Sequence, residues 1–340
     1  MRSFASDNNS GVHPLVMEAI AEANRDHAVG YGDDPWTAKA TAKIKEIFGT
    51  DAEPFFVFNG TGANSVALQA ATRSFNSILC AQTAHIYVDE CGAPGRMTGC
   101  TLTPIHTDNG KLTPEQLKPH LTHFGVCHHP QPGAVYISQA SELGTIYTIA
   151  EVRAIADLIH SHGMVLHMDG ARLANACAAV GCTMKEMTVD AGVDILSFGG
   201  TKNGMMMGEA VISFRPEITA NLPYYRKQSA QLASKMRYLS AQFLPYLENG
   251  LWLKNAAHAN RQAKRLEEML RPYPQIQFTQ PVDTNQLFFV LPKEASDELL
   301  KHYFFYTWND ATNEVRLVTS WDTTEEDIES FGALLKTVLR

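Results

Sequence analysis

A lysine and an aspartate about thirty residues apart are the side chains of this chain that most clearly indicate chemistry. Lys202 lies between glycines directly after the apolar run 193–196, and Asp169 follows the apolar run 164–168. A lysine at such a position can form an imine with an aldehyde, although the same pattern also suits a solvated loop. Asp169 taken alone also suits a helix N-cap.

Lys202 and Asp169 together indicate a ligand site, because each follows a strand-like run. Ligands of open α/β proteins bind at the carboxyl ends of parallel strands, so Asp169 and Lys202 are expected to face one ligand. Pyridoxal phosphate requires this pair. A lysine binds its aldehyde as a Schiff base, and an acidic residue keeps its ring nitrogen protonated so that the ring accepts electrons. The sequence therefore predicts pyridoxal 5'-phosphate bound to Lys202.

A loop of small residues offers a site for the phosphate. The apolar run 55–58 leads into Asn59, Gly60 and Thr61, and a helix pattern follows from residue 63. Free N–H groups at a helix N-terminus, approached through small residues, form a phosphate cradle. The loop matches neither a Walker motif nor the dinucleotide motif G-x-G-x-x-G. We expect these three residues to bind the cofactor's phosphate.

His85 follows a further apolar run, 77–80. A lone histidine among apolar residues is usually a core residue, but beside Lys202 and Asp169 we expect its ring to stack on the cofactor.

With these motifs, nearly the whole chain resembles the low-specificity L-threonine aldolases, including phenylserine aldolases, which are pyridoxal phosphate enzymes of fold type I. The resemblance is carried by the following segments: 4–8, 31–35, 59–61, 85 with 90–93, 167–172, 200–204 and Arg316. It implies that Lys202 carries the cofactor, that Asp169 pairs with its ring nitrogen and that His85 stacks on the ring.

The resemblance also implies a substrate site. Ser6, Arg172 and Arg316 are expected to hold the substrate carboxylate, a task that suits a guanidinium fork, and Arg172 is also expected next to the cofactor. Many relatives carry Glu-Asn-Thr-His-Asn where this chain has the run 138–145, which resembles the Pseudomonas-type phenylserine aldolases. The catalytic role of that run is left open by the sequence.

The implied reaction is the reversible cleavage of L-threonine, L-allo-threonine or L-phenylserine-type substrates to glycine and an aldehyde. The base that removes the hydroxyl proton is His85 or His128, and the sequence does not choose between them. The principal alternative is another pyridoxal phosphate enzyme, either a β-eliminating lyase or an aminotransferase, which would share Lys202 and Asp169. A nicotinamide-dependent oxidoreductase is disfavoured because the dinucleotide motif is missing, and a non-catalytic protein of the same fold stays open.

Composition sets broader limits. The chain has 340 residues, 45% of them apolar, and a formal charge of −8, which disfavours nucleic-acid binding. Its six cysteines show neither a C-x-x-C pair nor metal-ligand spacing, so we expect reduced thiols, a cytoplasmic location and no metal. We find neither a signal-peptide pattern nor a membrane-spanning run, so no membrane partner is expected.

The order of predicted elements indicates the α/β fold of aspartate aminotransferase. A large domain with a mostly parallel sheet flanked by helices precedes a smaller C-terminal α+β domain. We expect an N-terminal arm at 1–13, the large domain at 14–247 and the small domain at 248–340. Residues 225–247 show a long amphipathic helix pattern interrupted by Pro245. The resemblance adds a homo-oligomer, a tetramer built of dimers that share active sites, acting on a small amino acid.

Overall fold

The structure is a computed structural model that describes residues 2–339. Met1 and Arg340, the outer limits of the predicted arm and small domain, lie outside the described residues. The strands are β1 Glu53–Val57, β2 Asn76–Ala81, β3 Thr101–Ile105, β4 Gln131–Ser138, β5 Val165–Gly170, β6 Ile195–Gly199, β7 Glu209–Ser213, β8 Gln277–Phe278, β9 Gln286–Val290, β10 Tyr306–Asn309 and β11 Glu314–Val318.

The helices alternate with these strands through most of the chain. They are α1 Pro14–Ala23, α2 Pro35–Phe48, α3 Gly60–Ala71, α4 His85–Val88, α5 Ala93–Thr98, α6 Pro114–Leu117, α7 Ile149–His160, α8 Leu173–Val180, α9 Met184–Met187, α10 Pro216–Thr219, α11 Leu222–Gln228, α12 Arg237–Ser240, α13 Phe243–Leu247, α14 Leu251–Leu270, α15 Lys293–Leu299 and α16 Glu325–Val338.

A seven-stranded sheet forms the larger part of the molecule, in the order β1-β7-β6-β5-β4-β2-β3. Five neighbouring strands of this sheet run parallel to one another: β6, β5, β4, β2 and β3. Strand β7 is antiparallel to both of its neighbours, β1 and β6. On β6, Ile195 packs in one buried cluster and the next residue, Leu196, packs in another. Successive strand residues face opposite sides, so apolar layers cover both faces of the sheet. The predicted mostly parallel α/β fold is confirmed.

A second, four-stranded antiparallel sheet has the order β10-β11-β9-β8. Its apolar core includes the C-terminal half of α14, side chains of α15 and α16, and Phe4 from the N-terminal segment. The domain boundary at residue 247 stays a prediction. Within residues 2–339, no helix is both long and apolar enough to cross a bilayer.

The predicted long helix pattern over 225–247, with its one interruption at Pro245, is wrong. The chain leaves α11 at Gln228, adopts a positive φ at Ala230, and resumes as the two short helices α12 and α13. Hydrogen bonds to distant segments stabilise the non-helical segment between α11 and α12. The Gln231 side chain accepts from Phe58 N, and Ser234 O accepts from Tyr31 N. Pro245 lies in the first turn of α13, where a missing N–H costs little.

Candidate active site

Two adjacent parallel strands bring Asp169 and Lys202 to one edge of the large sheet. Asp169 lies near the carboxyl end of β5, in register with Ser197 of β6. Lys202 follows the end of β6 in a short 3₁₀ turn at 201–203. Both side chains line a cavity of about 290 Å³, which we call the first cavity. This is the edge where parallel sheets bind ligands.

The Asp169 carboxylate is almost fully buried, and both of its oxygens are hydrogen-bonded. Oδ2 accepts from Asn64 Nδ2 at 2.8 Å and from Tyr136 Oη at 2.7 Å, while Oδ1 accepts from Ala171 N at 2.9 Å. Burial alone would raise the pKa of this carboxyl group, but the Lys202 cation and the donated hydrogen bonds outweigh it and lower the pKa. A buried carboxylate held charged in this way can face a protonated ring nitrogen.

The Lys202 side chain makes no hydrogen bond or ion pair with another residue among the described residues 2–339. Burial, and next the nearby Arg172 cation, lower the pKa of its amine, although Asp7 and Asp169 oppose the shift. A lowered amine pKa leaves a larger fraction of the nucleophilic neutral form at neutral pH. The side chain is therefore free and suited to bond an aldehyde.

The N-terminus of α3 borders the same cavity through Asn59, Gly60 and Thr61. Asn59 is the N-cap residue, and its Oδ1 accepts from Gly62 N at 2.8 Å. The small residues leave the positive end of the helix dipole accessible, as an anion site requires.

His85 stands at the start of α4, four residues beyond β2, and lines the first cavity. Its Nδ1 lies 2.8 Å from Oε1 of the buried Glu90. This hydrogen bond is the main reason that the pKa of His85 is raised, against the effect of burial. Asn64 Nδ2 donates to both Glu90 and Asp169, so one amide links the two carboxylates beside the cavity.

A second cavity of about 440 Å³ shares Asn8, His85 and Lys202 with the first. Ser6, Arg172 and Arg316, the predicted carboxylate-binding residues, all line it. The structure thus brings two guanidinium groups and a hydroxyl group to the space next to Lys202. Arg172 lines this second cavity and not the first.

The two arginines are held by different means. Arg172 forms a bidentate ion pair with the fully buried Asp7, with Nε to Oδ2 and Nη2 to Oδ1 both at 2.8 Å. Arg316 donates to Ala5 O at 3.1 Å, and its guanidinium carbon lies 4.9 Å from the centre of the Trp308 ring. Burial and the neighbouring Arg172 lower the pKa of Arg316 to about 10, so it stays charged at neutral pH.

His128 is not brought to this site within one chain. It lies in an exposed segment before β4 and lines neither cavity. Because β4 is parallel to β5 and β6, a residue just before β4 lies at the amino ends of the strands, opposite Asp169 and Lys202. This placement argues against the prediction of His128 as a base that acts directly in the site of the same chain.

Several residues of the site were not predicted from the sequence: Asp7, Asn64, Glu90, Tyr136, Glu142 and Glu209. Several of their contacts join segments that are far apart in the chain, as between Asp7 and Arg172 and between Asn64 and Asp169. Asp7 and Glu90 stand inside the quoted segments, so the one available signal was a carboxylate in a segment expected to bind ligand.

These residues fit pyridoxal phosphate. An amine without a partner, a buried charged carboxylate, an imidazole and an accessible helix N-terminus face one cavity, and each matches one part of the cofactor. A cation-lined cavity for an amino acid carboxylate adjoins them.

Comparisons with known proteins agree with this geometry. Residues 3–294 match the beta-eliminating lyase family. The chain is 42% identical to a low specificity L-threonine aldolase of a Pseudomonas species, with 99% of this chain and 98% of that protein covered. It is 43% identical, at the same coverage, to the low specificity L-threonine aldolase of Pseudomonas aeruginosa. A solved structure of Leishmania major threonine aldolase superposes with a TM-score of 0.94, at 31% identity and full coverage of both chains.

Proposed function

The chain belongs to the beta-eliminating lyase family, among the low-specificity L-threonine aldolases, and from this premise we propose that it cleaves L-β-hydroxy-α-amino acids to glycine and an aldehyde. The observation that carries the proposal is the meeting of Lys202 and Asp169 with the arginine pair of the second cavity. Threonine, allo-threonine and phenylserine are the expected substrates, and the reaction is reversible.

Pyridoxal phosphate, bound through its aldehyde to Lys202, supplies a ring that accepts the electrons released at Cα. Asp169 is proposed to hold a proton on the ring nitrogen, because its carboxylate stays charged in a buried position. Asn59, Gly60 and Thr61 are proposed to bind the phosphate at the α3 N-terminus, and His85 to lie against the ring.

The second cavity is proposed to orient the substrate. Arg172 and Arg316 bind its carboxylate, with Ser6 as an additional hydroxyl donor. Fixing the carboxylate turns the Cα–Cβ bond relative to the ring, and that orientation selects the bond that breaks. Asp7 positions Arg172 for this task through the bidentate ion pair.

Three further expectations accompany the proposal. We place the enzyme in the cytosol, in keeping with six unpaired cysteines. We expect a homo-oligomer, a tetramer whose dimers share active sites. By the predicted bounds, Ser6 belongs to the arm, Arg172 to the large domain and Arg316 to the small domain. All three parts would therefore contribute to the carboxylate site.

Product analysis tests the proposal. The cofactor-loaded enzyme is incubated with L-threonine and with L-phenylserine, each with and without an added 2-oxo acid, and glycine, aldehyde, newly formed 2-oxo acid and ammonia are measured. Retro-aldol cleavage gives glycine and the aldehyde in equal amounts. A 2-oxo acid with ammonia would instead identify a β-eliminating enzyme, and transfer of the amine to a 2-oxo acid would identify an aminotransferase. Loss of products in Lys202→Ala shows that the site carries the reaction.

A further inference from the structure

Glu142 places a carboxylate at the second cavity, and the proposed function gives this residue no role. It lies in the run 138–145 after β4, and it lines the second cavity with Arg172, Arg316 and Lys202. The residue is half-buried and borders the second cavity. A carboxylate that borders a substrate cavity requires an explanation, because burying a charge is costly unless it is bonded or used.

One carboxylate oxygen of Glu142 is anchored and the other is left for a ligand. Oε1 accepts from Ser138 Oγ at 2.6 Å and from the backbone N–H of His85 at 2.8 Å. Both of these contacts are made by Oε1, so Oε2 is the oxygen that can accept a proton from a bound molecule. The same backbone contact fixes Glu142 beside the residue expected to lie on the cofactor ring.

The surroundings raise the pKa of both Glu142 and His85. Burial raises the pKa of the Glu142 carboxyl, against the opposing hydrogen bonds from Ser138 and His85 N, which brings it closer to the pH at which a base works. The hydrogen bond to Glu90 raises the pKa of His85, so its imidazole keeps its proton over a wider pH range. The contacts distinguish the two groups: both hydrogen bonds to Glu142 are made to Oε1, whereas Nδ1 of His85 is already bonded to Glu90.

We propose that Glu142 is the base that removes the proton of the substrate's β-hydroxyl group, an inference that rests on the proposed function. The O–H bond breaks and its proton passes to Oε2 of Glu142. The O–H electron pair becomes the second bond of the aldehyde C=O. The Cα–Cβ bond breaks, its electron pair stays with the Cα side, and Cα takes up a proton from solvent in forming glycine. The proton on Glu142 returns to solvent, so atoms and charges balance.

Position supports this role. With its carboxylate on the arginine pair, a substrate would place its amine at the cofactor aldehyde beside Lys202, which leaves the β-substituents in the rest of the second cavity. Glu142 borders that same space, whereas His128 does not. The acid/base contribution of a positioned side chain is about 10²- to 10⁴-fold in rate.

The test uses Glu142→Gln in the cofactor-loaded enzyme, since glutamine keeps the shape and an acceptor oxygen but is not a base. We expect kcat for L-phenylserine to fall at least about 10²-fold, with KM changed less than about threefold. Glycine binding, followed by its change of the visible absorbance, is expected to stay as in the wild type. An exposed counterpart, Glu294→Gln, serves as the matched control and should match the wild type in all three measurements.

A pH profile separates catalysis from a structural role. The acid limb of kcat/KM in the wild type should be missing in Glu142→Gln. In Ser138→Ala the limb should move to higher pH, because the Ser138 hydroxyl lowers the pKa of Glu142. If Glu142→Gln does not load the cofactor, Ser138→Ala provides the test. An acid limb of kcat/KM at the wild-type pH overturns the inference, and an acid limb at higher pH supports it.

The failures of the two proposals are distinguishable. If the wild type releases no glycine and aldehyde, the proposed function has failed. If the wild type cleaves phenylserine and Glu142→Gln does so within threefold of its kcat, only the role of Glu142 is overturned.

Discussion

Asp7 is a fully buried carboxylate that faces two cations of the site. It binds Arg172 in bidentate geometry, accepts from Asn285 Nδ2 at 3.0 Å, and interacts with the Lys202 cation. Burial would raise the pKa of Asp7, but these charges lower it. Removing one partner of a buried pair is costly because the other charge stays uncompensated.

Asp7→Asn is expected to lower the free energy of unfolding by about 3 kcal/mol, since Arg172 loses its counter-charge. It should also raise KM for the amino acid about tenfold while kcat changes less, because Arg172 no longer has a fixed orientation. Denaturant unfolding and steady-state kinetics measure both effects. Asp51→Asn, at an exposed turn, is the control, and equal KM values in the two variants would contradict a positioning role for Asp7.

Glu209 is a buried carboxyl group at the start of β7, in the wall of the first cavity. Burial is the main cause that raises its pKa from 4.5 to about 8. The carboxyl therefore keeps its proton in the folded state over a pH range in which it ionises in the unfolded chain. Its contribution to stability is fully present below about pH 4.5 and is lost as the pH rises through 8.

Glu209→Gln removes this titration. The stability of the variant minus that of the wild type is expected to be larger at pH 9 than at pH 5. Thermal unfolding of both proteins at the two pH values, with matched cofactor loading, measures the difference. A stability difference that does not change with pH would show that Glu209 is charged in the folded state at neutral pH.

Lys202 and Asp169 were predictable because each is adjacent in sequence to an apolar strand pattern, and the ends of parallel strands meet at one edge. The contacts around them were not, because they join distant segments. Asp7 and Arg172 are 165 residues apart, Asn64 and Asp169 are 105 apart, and Glu90 is 26 residues from Asn64. No local periodicity reports such pairs.

At the scale of elements, the close approach of β5 and β6 determines the site. A Cβ at Gly170 would lie 2.8 Å from Leu196 Cδ1 and 3.0 Å from Ser197 O, and the second of these is backbone. The glycine therefore lets β5, which carries Asp169, lie beside β6, which leads into the turn of Lys202. Helix α8 has a sharp local signal at its end, because Gly181 forms its left-handed cap.

Gly170→Ala is expected to destabilise the protein by about 1–3 kcal/mol, because the new methyl group has no space. The two strand ends must separate, so cofactor affinity should fall as well. Unfolding and absorbance titration with pyridoxal phosphate measure the two effects. Gly11→Ala, where an added Cβ meets nothing within 4 Å, is the control. Normal stability and affinity in Gly170→Ala would contradict the steric account.

The region 225–247 shows where element prediction fails. Its apolar residues recur at helical spacing, yet the chain turns at Ala230 and Gln231 bonds the segment before α3. Tertiary hydrogen bonds outweigh the intrinsic helix preference there, which one segment's sequence cannot reveal.

At the scale of the molecule, the substrate site depends on the joining of two cores. Helix α14 packs Ala256 in the core of the large sheet and Leu266 in the core of the small sheet. The N-terminal segment packs Phe4 into the second core, and Val318 N donates to Phe4 O at 2.7 Å. Ser6 and Asp7 follow Phe4 directly, so their place in the cavity depends on this anchor.

Phe4→Ala is expected to lower the free energy of unfolding by about 3–5 kcal/mol, as for a fully buried aromatic residue. Because Ser6 and Asp7 lose their anchor, KM for the amino acid should rise more than cofactor affinity falls. Leu15→Ala, at an exposed position, should change stability by less than about 0.5 kcal/mol. An unchanged KM in Phe4→Ala would show that the segment keeps its place without this anchor.

Mass spectrometry of the borohydride-reduced enzyme is the most direct test of the central claim, a retro-aldol reaction based on Lys202. Cofactor-loaded protein is reduced, digested and mapped with and without saturating L-phenylserine, and released glycine and benzaldehyde are measured before reduction. We predict the cofactor mass on the peptide that contains Lys202, its decrease when substrate is present, and equal amounts of the two products. Cofactor mass on another lysine, or labelled Lys202 without either product, would contradict the account.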